Sequence, residues 1–109
     1  MMDYIFVAEC DLEEMPKDFF DKEQYLTNEE KSKILKYMKA GECFSYTSYE
    51  VSDYVTGEKT EHADNMYTDG KYCWTFGIMY AFEKYDIPLE KEFIECVLKG
   101  VSKCQDLKE

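Results

Sequence analysis

The clearest helical periodicity in the chain lies in residues 27–40. Three apolar positions fall on one face at helical spacing: Ile34, Leu35 and Met38. Thr27 and Glu30 have the spacing of a capping box, in which the side chain of each accepts a hydrogen bond from the backbone N–H of the other. Gly41 then offers a residue that can take positive φ after a helix. The pattern predicts a helix over 27–40 with both ends defined.

From residue 42 the apolar spacing shortens toward two, which is typical of β-strands. The predicted strands are 43–47, 51–56, 66–68 and 71–74. The polar stretch 59–65 is either an exposed strand or a loop. Asp69 and Gly70 suit a type I′ hairpin turn between the last two strands, with both residues at positive φ. The sequence therefore predicts an antiparallel meander of three or four strands.

Two helical patterns follow the hairpin and are separated by Pro88. Thr75 is a candidate N-cap for a helix over 76–85. Pro88 disfavours helical conformation at Ile87, so this helix should end near Asp86. A second helix follows it. The predicted core stripe of that helix is Leu89, Phe93, Val97 and Val101, widened by Ile94 and Leu98.

These elements predict a single α+β domain over 1–109, with a three- to four-stranded antiparallel sheet packed with about three helices. The core is expected within 27–101. Residues 1–26 form an acidic N-terminal segment that is either a mobile arm or a docked strand. The adjacent Phe19 and Phe20 favour docking, because a free arm rarely exposes two phenylalanines.

The net charge of the chain is −11, with thirteen lysines and no arginine. Phosphate backbones would be repelled, and arginine is the usual residue for bidentate recognition of bases and phosphates. The sequence therefore argues against nucleic-acid binding. No apolar stretch approaches the length of a membrane span, and no signal peptide is recognised. We expect a cytoplasmic protein whose five cysteines are reduced.

The sequence offers little for catalysis or for metal binding. His62 is the only histidine, and no two cysteines have Cys-x-x-Cys spacing, so a zinc site of standard form is not predicted. We find no nucleophile with a positioned base, no glycine-rich phosphate loop and no calcium-loop spacing of acids. We therefore expect no catalytic residue, no metal and no cofactor, and hence a protein that is not an enzyme.

The remaining functional signal is the composition of residues 41–70, which carry seven acids and one lysine. Tyrosines are interleaved with these acids. Tyrosine supplies contact area at low entropic cost, and carboxylates steer association with cationic surfaces. The candidate partner-binding residues are Tyr46, Tyr49, Asp53, Tyr54, Glu58, Glu61 and Asp64. An ordinary solvated sheet face explains the same composition equally well.

A family resemblance rests on residues of the second half of the chain. They are Thr68-Asp69-Gly70-Lys71-Tyr72-Cys73-Trp74, then Tyr80, Glu83-Lys84-Tyr85 and Glu92-Phe93-Ile94. This pattern resembles small uncharacterised proteins of Gram-positive bacteria, some of them immunity proteins of toxin–immunity loci, and it covers residues 27–99. Many such proteins carry a proline just before the Glu-Phe-Ile segment, whereas here Pro88 precedes Leu89. The resemblance implies kinship of fold and transfers no catalytic residue.

Charge, the tyrosine–acid block and this resemblance together predict a non-enzymatic acidic binding protein of the immunity or inhibitor type. Its expected partner is a basic protein, such as a nuclease toxin, whose cationic site it would occlude. One alternative is a small-molecule or peptide-binding module with an aromatic pocket near Trp74, Tyr80 and Tyr85, although aromatic residues at these spacings are more typical of a core. Another is a structural subunit of a larger assembly. The sequence does not determine the oligomeric state.

Overall fold

The computed structural model describes residues 4–8, 12–20 and 24–100. Within them the chain is α+β, as predicted, with three α-helices and six strands. The strands are β1 (Ile5–Phe6), β2 (Glu42–Ser45), β3 (Glu50–Ser52), β4 (Lys59–Ala63), β5 (Met66–Thr68) and β6 (Tyr72–Thr75). The helices are α1 (Asn28–Lys39), α2 (Phe76–Tyr85) and α3 (Lys91–Leu98), and two short 3₁₀ helices, Leu12–Glu14 and Lys17–Phe20, precede them.

The main sheet has four strands in the order β1-β6-β5-β2 and is mixed, because β1 runs parallel to β6. The predicted antiparallel pairing is confirmed for β2 with β5 and for β5 with β6, whereas β1 departs from it by pairing parallel to β6. Strands β3 and β4 form a separate antiparallel ribbon, so the chain leaves the main sheet after β2 and re-enters it at β5. The polar stretch 59–65 contains strand β4. The predicted strand over 51–56 is confined to β3, because residues 54–56 form a turn.

The N-terminal segment docks on the sheet in its described part. The N–H of Ile5 donates to the carbonyl of Lys71 (3.0 Å), and the N–H of Val7 donates to the carbonyl of Cys73 (3.1 Å). Val7, Leu12 and Phe20 are buried in the core. Docking pairs backbone groups of this apolar run and buries Val7, although Ile5 and Phe6 of β1 stay exposed.

Helix α1 begins as predicted. The Thr27 hydroxyl accepts from the Glu30 N–H (3.1 Å), and the Glu30 carboxylate accepts from the Thr27 N–H (2.9 Å). Its end differs from the prediction, because Gly41 does not have positive φ. A Cβ at Gly41 would lie 2.5 Å from the Trp74 ring, so the glycine is needed for space rather than for its φ angle.

The Asp69-Gly70 turn also differs from the prediction. Strands β5 and β6 are separated by residues 69–71, and only Gly70 of these has positive φ. The Asp69 carboxylate accepts from the N–H groups of Lys71 (2.9 Å) and Tyr72 (2.7 Å), and it also accepts from the Tyr37 hydroxyl. Bonding of the aspartate side chain to the backbone two and three residues on therefore replaces the type I′ geometry.

Helices α2 and α3 follow the predicted order. The Thr75 hydroxyl caps α2 by accepting from the Ile78 N–H (3.1 Å), and the C-cap of α2 is Asp86, whose φ is 53°. Leu89 is buried but lies before α3, so that helix begins later than predicted. Val101 of the predicted core stripe lies outside the described residues.

The largest fully buried side chain is Trp74. Its ring centroid lies 5.7 Å from that of Phe93 and 6.4 Å from that of Tyr37. Helix α1 packs against both α2 and α3, so the apolar core lies between the three helices and the sheet. Cys96 of α3 is disulfide-bonded, so the expectation of reduced thiols is wrong at that position. In the described part of the chain, no helix combines the length and the apolar character that a membrane span requires.

Candidate binding surface

The link between β2 and β3 displays two tyrosine side chains in solvent. Tyr46 and Tyr49 are each 78% exposed, far more than any other large apolar or aromatic side chain described. Their backbone is nonetheless held in place. The Thr47 N–H donates to the Asn65 side chain (3.0 Å), and the carbonyl of Tyr49 accepts from the Asp64 N–H (2.8 Å). The two rings therefore project from a fixed segment.

Exposed acids follow these tyrosines in the sequence, on the β3–β4 ribbon and its turn. Glu50, Glu58 and Glu61 are all exposed, and Glu50 is a residue that the sequence analysis did not single out. In the ribbon, Glu50 pairs with Ala63 but Ser52 pairs with Lys59, so β4 contains two more residues than β3 over the same span. This irregularity is a β-bulge.

Glu61 lies inside the bulge with a φ of 65°. A residue with a Cβ is unfavourable in the left-handed region by about 1–2 kcal/mol relative to ordinary backbone. Glycine would avoid this strain, but the chain carries a glutamate that faces solvent. The presence of glutamate at this strained and exposed position is therefore not explained by the stability of the fold.

Asp53 does not belong to the exposed surface, and the prediction that placed it there is wrong. Its side chain is buried, with the residue 2% exposed. The hydroxyl of Tyr80 donates to Asp53 (2.6 Å), as does that of Tyr85 (2.5 Å), and the Lys84 ammonium lies 3.0 Å away. Two backbone N–H groups of the following turn also donate to it, each at 2.9 Å.

The electrostatics of this cluster follow from its geometry. Burial alone would raise the pKa of Asp53, but the hydrogen bonds from the two tyrosines and the two backbone N–H groups outweigh burial and hold that pKa well below its usual range. Burial, with the hydrogen bond to Asp53, raises the pKa of Tyr85 to about 12. The carboxylate is therefore charged and the phenols are neutral, which is the arrangement of a structural anchor.

Tyr54 and Asp64 also attach the ribbon to the rest of the molecule. The Tyr54 ring stacks on Phe20, with centroids 5.4 Å apart and planes 9° apart. Asp64 accepts from the N–H of Gly77 in the first turn of α2 (2.8 Å). A Cβ at Gly77 would collide with the Tyr54 hydroxyl, so this glycine permits the close approach. Both side chains are partly buried and have their main contacts inside the molecule.

The seven predicted residues thus fall into two groups. Four are exposed: Tyr46, Tyr49, Glu58 and Glu61. Three face the body of the protein: Asp53, Tyr54 and Asp64. Their exposure does not follow the period of two of a regular strand, because the turn at 54–56 and the bulge interrupt that alternation.

The alternative site around Trp74 is not supported by the geometry. Trp74 is fully buried, and the hydroxyls of Tyr80 and Tyr85 are both directed to Asp53. His62 is exposed, and its ring lies 4.9 Å from that of Phe76. Within residues 4–8, 12–20 and 24–100, no three histidine, cysteine or acidic side chains lie close enough to hold a metal ion.

Comparison with protein-family models, with curated proteins and with solved structures gave no match for this chain.

Proposed function

We propose that this protein is a non-enzymatic binding protein of the immunity or inhibitor type. It occludes a basic protein partner, such as a toxin, with the surface formed by Tyr46, Tyr49, Glu50, Glu58 and Glu61, here called the tyrosine–acid surface. The observation that carries this proposal is the pair of tyrosines, each 78% exposed, on a backbone pinned by hydrogen bonds among exposed acids.

Both parts of this surface suit a cationic partner. Exposed tyrosine rings bury a large area on binding and lose little side-chain entropy, so they serve as anchors at interfaces. The glutamates attract a basic surface over about one Debye length, which speeds the encounter. The resemblance to immunity proteins supports the same class of function.

The strain at Glu61 supports the proposal independently of composition. A position in the left-handed region is most stable with glycine, whereas a glutamate there presents a carboxylate at the bulge. Backbone strain of this kind tends to accumulate where a side chain has a binding role. We infer that the Glu61 carboxylate contacts the partner.

The first experiment identifies the partner by affinity capture from the native cell lysate at low and at high salt. We expect one basic protein to be retained in stoichiometric amount at low salt and in a smaller amount at high salt.

Association kinetics are then measured for the surface variant Glu58→Gln/Glu61→Gln. The control is Glu29→Gln/Glu95→Gln, which has the same net charge and changes exposed acids on α1 and α3. The surface variant should associate about tenfold more slowly and with a weaker salt dependence, because local rather than total charge steers the encounter.

Equal association rates for the two double variants would overturn the placement of the interface. Retention of no basic protein at either salt concentration would count against the function itself.

Glu61 gives a separate test, because its contributions to stability and to binding have opposite signs. Glu61→Gly should raise the free energy of unfolding by about 1 kcal/mol by relieving the φ strain, and it should weaken binding by removing the carboxylate. Glu61→Gln should weaken binding to a similar extent without the gain in stability. Urea unfolding and titration calorimetry measure the two effects, and full affinity in both variants would contradict a role for this carboxylate.

A further inference from the structure

A groove of about 490 Å³ runs between α1 and α2, outside the tyrosine–acid surface. On the α1 side it is lined by Lys31, Ser32, Leu35, Lys36 and Lys39, and on the α2 side by Glu83. Three of the four lysines of α1 therefore face one concave surface in a protein whose net charge is −11. Leu35 is partly buried and gives the groove an apolar patch.

The three lysines differ in how firmly they are held. The Lys31 ammonium lies 2.9 Å from the Asp86 carboxylate, and its side chain is only 16% exposed, so its position is fixed. The Lys39 ammonium lies 3.9 Å from the Glu83 carboxylate, and both side chains are about half exposed, which makes a weak and exchangeable pair. Lys36 is exposed and takes part in none of the ion pairs found among the described residues.

The interaction of lysines with the helix dipole accounts for only part of this arrangement. Lys36 and Lys39 lie in the last turn of α1, where cations stabilise a helix. Lys31 lies nearer the start of the helix, where a cation brings no such benefit. The helix dipole therefore does not explain why all three lysines line the same groove.

The spacing of these lysines indicates the shape of a ligand. Lys31 and Lys39 are two turns apart, which separates them by about 12 Å along the axis. An extended peptide spans that distance with about four residues, and its alternate side chains lie about 7 Å apart on one face. Two or three carboxylates at alternate positions would therefore lie on one face of the peptide and meet the lysines in sequence.

We propose that the α1–α2 groove binds an extended acidic peptide segment of a partner protein. The occupant is inferred from charge complementarity. The lining carries three ammonium groups and one carboxylate. Asp86 neutralises Lys31, and the weak pair with Glu83 leaves Lys39 exchangeable, so Lys36 and Lys39 are the lysines available to a ligand. Distant acids of the chain weaken the attraction only slightly at physiological ionic strength, where charges are screened over about 8 Å. This inference does not rest on the proposed function, since the two surfaces share no residue.

Fluorescence anisotropy with the full chain tests the proposal, with the labelled peptide Glu-Gly-Glu-Leu-Glu-Gly-Glu as the probe and its glutamine counterpart as the neutral control. Lys36→Glu should weaken binding of the acidic peptide by about tenfold, because it reverses a charge inside the groove. Lys33→Glu is the matched control, since it makes the same charge change at an exposed position of α1 outside the groove lining. It should change affinity by less than about twofold.

Several outcomes would overturn the proposal. Equal losses in Lys36→Glu and Lys33→Glu would mean that the peptide senses only the general field of the helix. Equal binding of the glutamine peptide, or no binding of the acidic one, would remove the charge argument. Displacement of the peptide by inorganic phosphate at lower concentration would assign the groove to a small anion. A mass that rises with concentration and that Lys36→Glu abolishes would assign it to a second copy of this chain.

Discussion

The body of the protein and the β3–β4 ribbon are held together by different kinds of interaction. The body packs apolar side chains around Trp74, with Phe93, Ile78 and Met38 fully buried. Among the residues that the structure describes, the ribbon has no strand pairing with the main sheet, and it is attached largely through Asp53, Tyr54 and Asp64. Apolar burial dominates the first region, whereas in the second the hydrogen bonds to Asp53 and Asp64 act together with the Tyr54 ring stack.

The two kinds of interaction suit the body and the ribbon to different roles. Burial of apolar area is strong but non-directional, so it fixes a core without fixing the orientation of an appendage. Hydrogen bonds have narrow distance and angle requirements, and those to a charged carboxylate are stronger than neutral ones. The Asp53 anchor therefore gives the ribbon, and the acids on it, a defined orientation relative to α2.

The largest expected effect comes from removing this anchor. Asp53→Ala should lower the free energy of unfolding by about 3 kcal/mol, because the two tyrosine hydroxyls and two backbone N–H groups lose a charged acceptor. Asp53→Asn should lose less, since its amide oxygen still accepts. Urea denaturation measures both variants. Equal stability of the alanine variant and the unmodified protein would show that the ribbon does not depend on this carboxylate.

A smaller effect is expected from disturbing the apolar body. Gly41→Ala places a methyl group against the Trp74 ring and should destabilise the protein by about 2 kcal/mol through overpacking. Gly57→Ala is the matched control, because a Cβ there meets no atom within 4 Å, although φ is 79°. That variant should lose about 1 kcal/mol from backbone strain alone. A shift of the Trp74 fluorescence confined to Gly41→Ala would locate the first effect at the indole.

The smallest effect is a dependence of stability on alkaline pH that comes from the ribbon anchor. Because the pKa of Tyr85 is raised to about 12 from an unfolded value of about 10, the folded protein holds this proton more firmly. Its stabilising contribution is complete below pH 10 and is lost as the pH rises toward 12. Tyr80 and Lys84 in the same cluster also have raised pKa values and act in the same direction.

Chemical denaturation at a series of pH values measures this slope. Tyr85→Phe should flatten it between pH 10 and about 12. Tyr49→Phe, an exposed tyrosine outside the cluster, should leave it unchanged. If the free energy of unfolding depends on pH in the same way in both variants, the alkaline loss of stability does not come from the Asp53 cluster.

Local signals in the sequence predicted the helices well. The capping box at Thr27, the N-cap Thr75 and the break before Pro88 each depend on a few neighbouring residues, and each is confirmed. The parallel pairing of β1 with β6 depends on residues far apart in the sequence, and a short apolar run alone does not reveal its partner.

The candidate surface was predicted only in part, for a related reason. Exposed acids and a buried acid look alike in a polar stretch, and the donors to Asp53 lie on α2, far along the chain. Asp53 therefore gave no local sign of burial. Gly41 offered the usual signal of a helix C-terminus, but the tryptophan that requires it is a contact in space. The strain at Glu61 comes from the register of β3 against β4, and the identity of residue 61 alone does not predict that register.

The parallel pairing of β1 with β6 also has a consequence for the order of folding. Ile5 is synthesised long before Tyr72, its partner in the sheet, has left the ribosome. Contacts between such distant segments raise the contact order and slow folding. The apolar run at residues 4–8 therefore stays unpaired until residues 72 and 73 have been synthesised, and a nascent chain ending before residue 72 exposes it to chaperones or to aggregation.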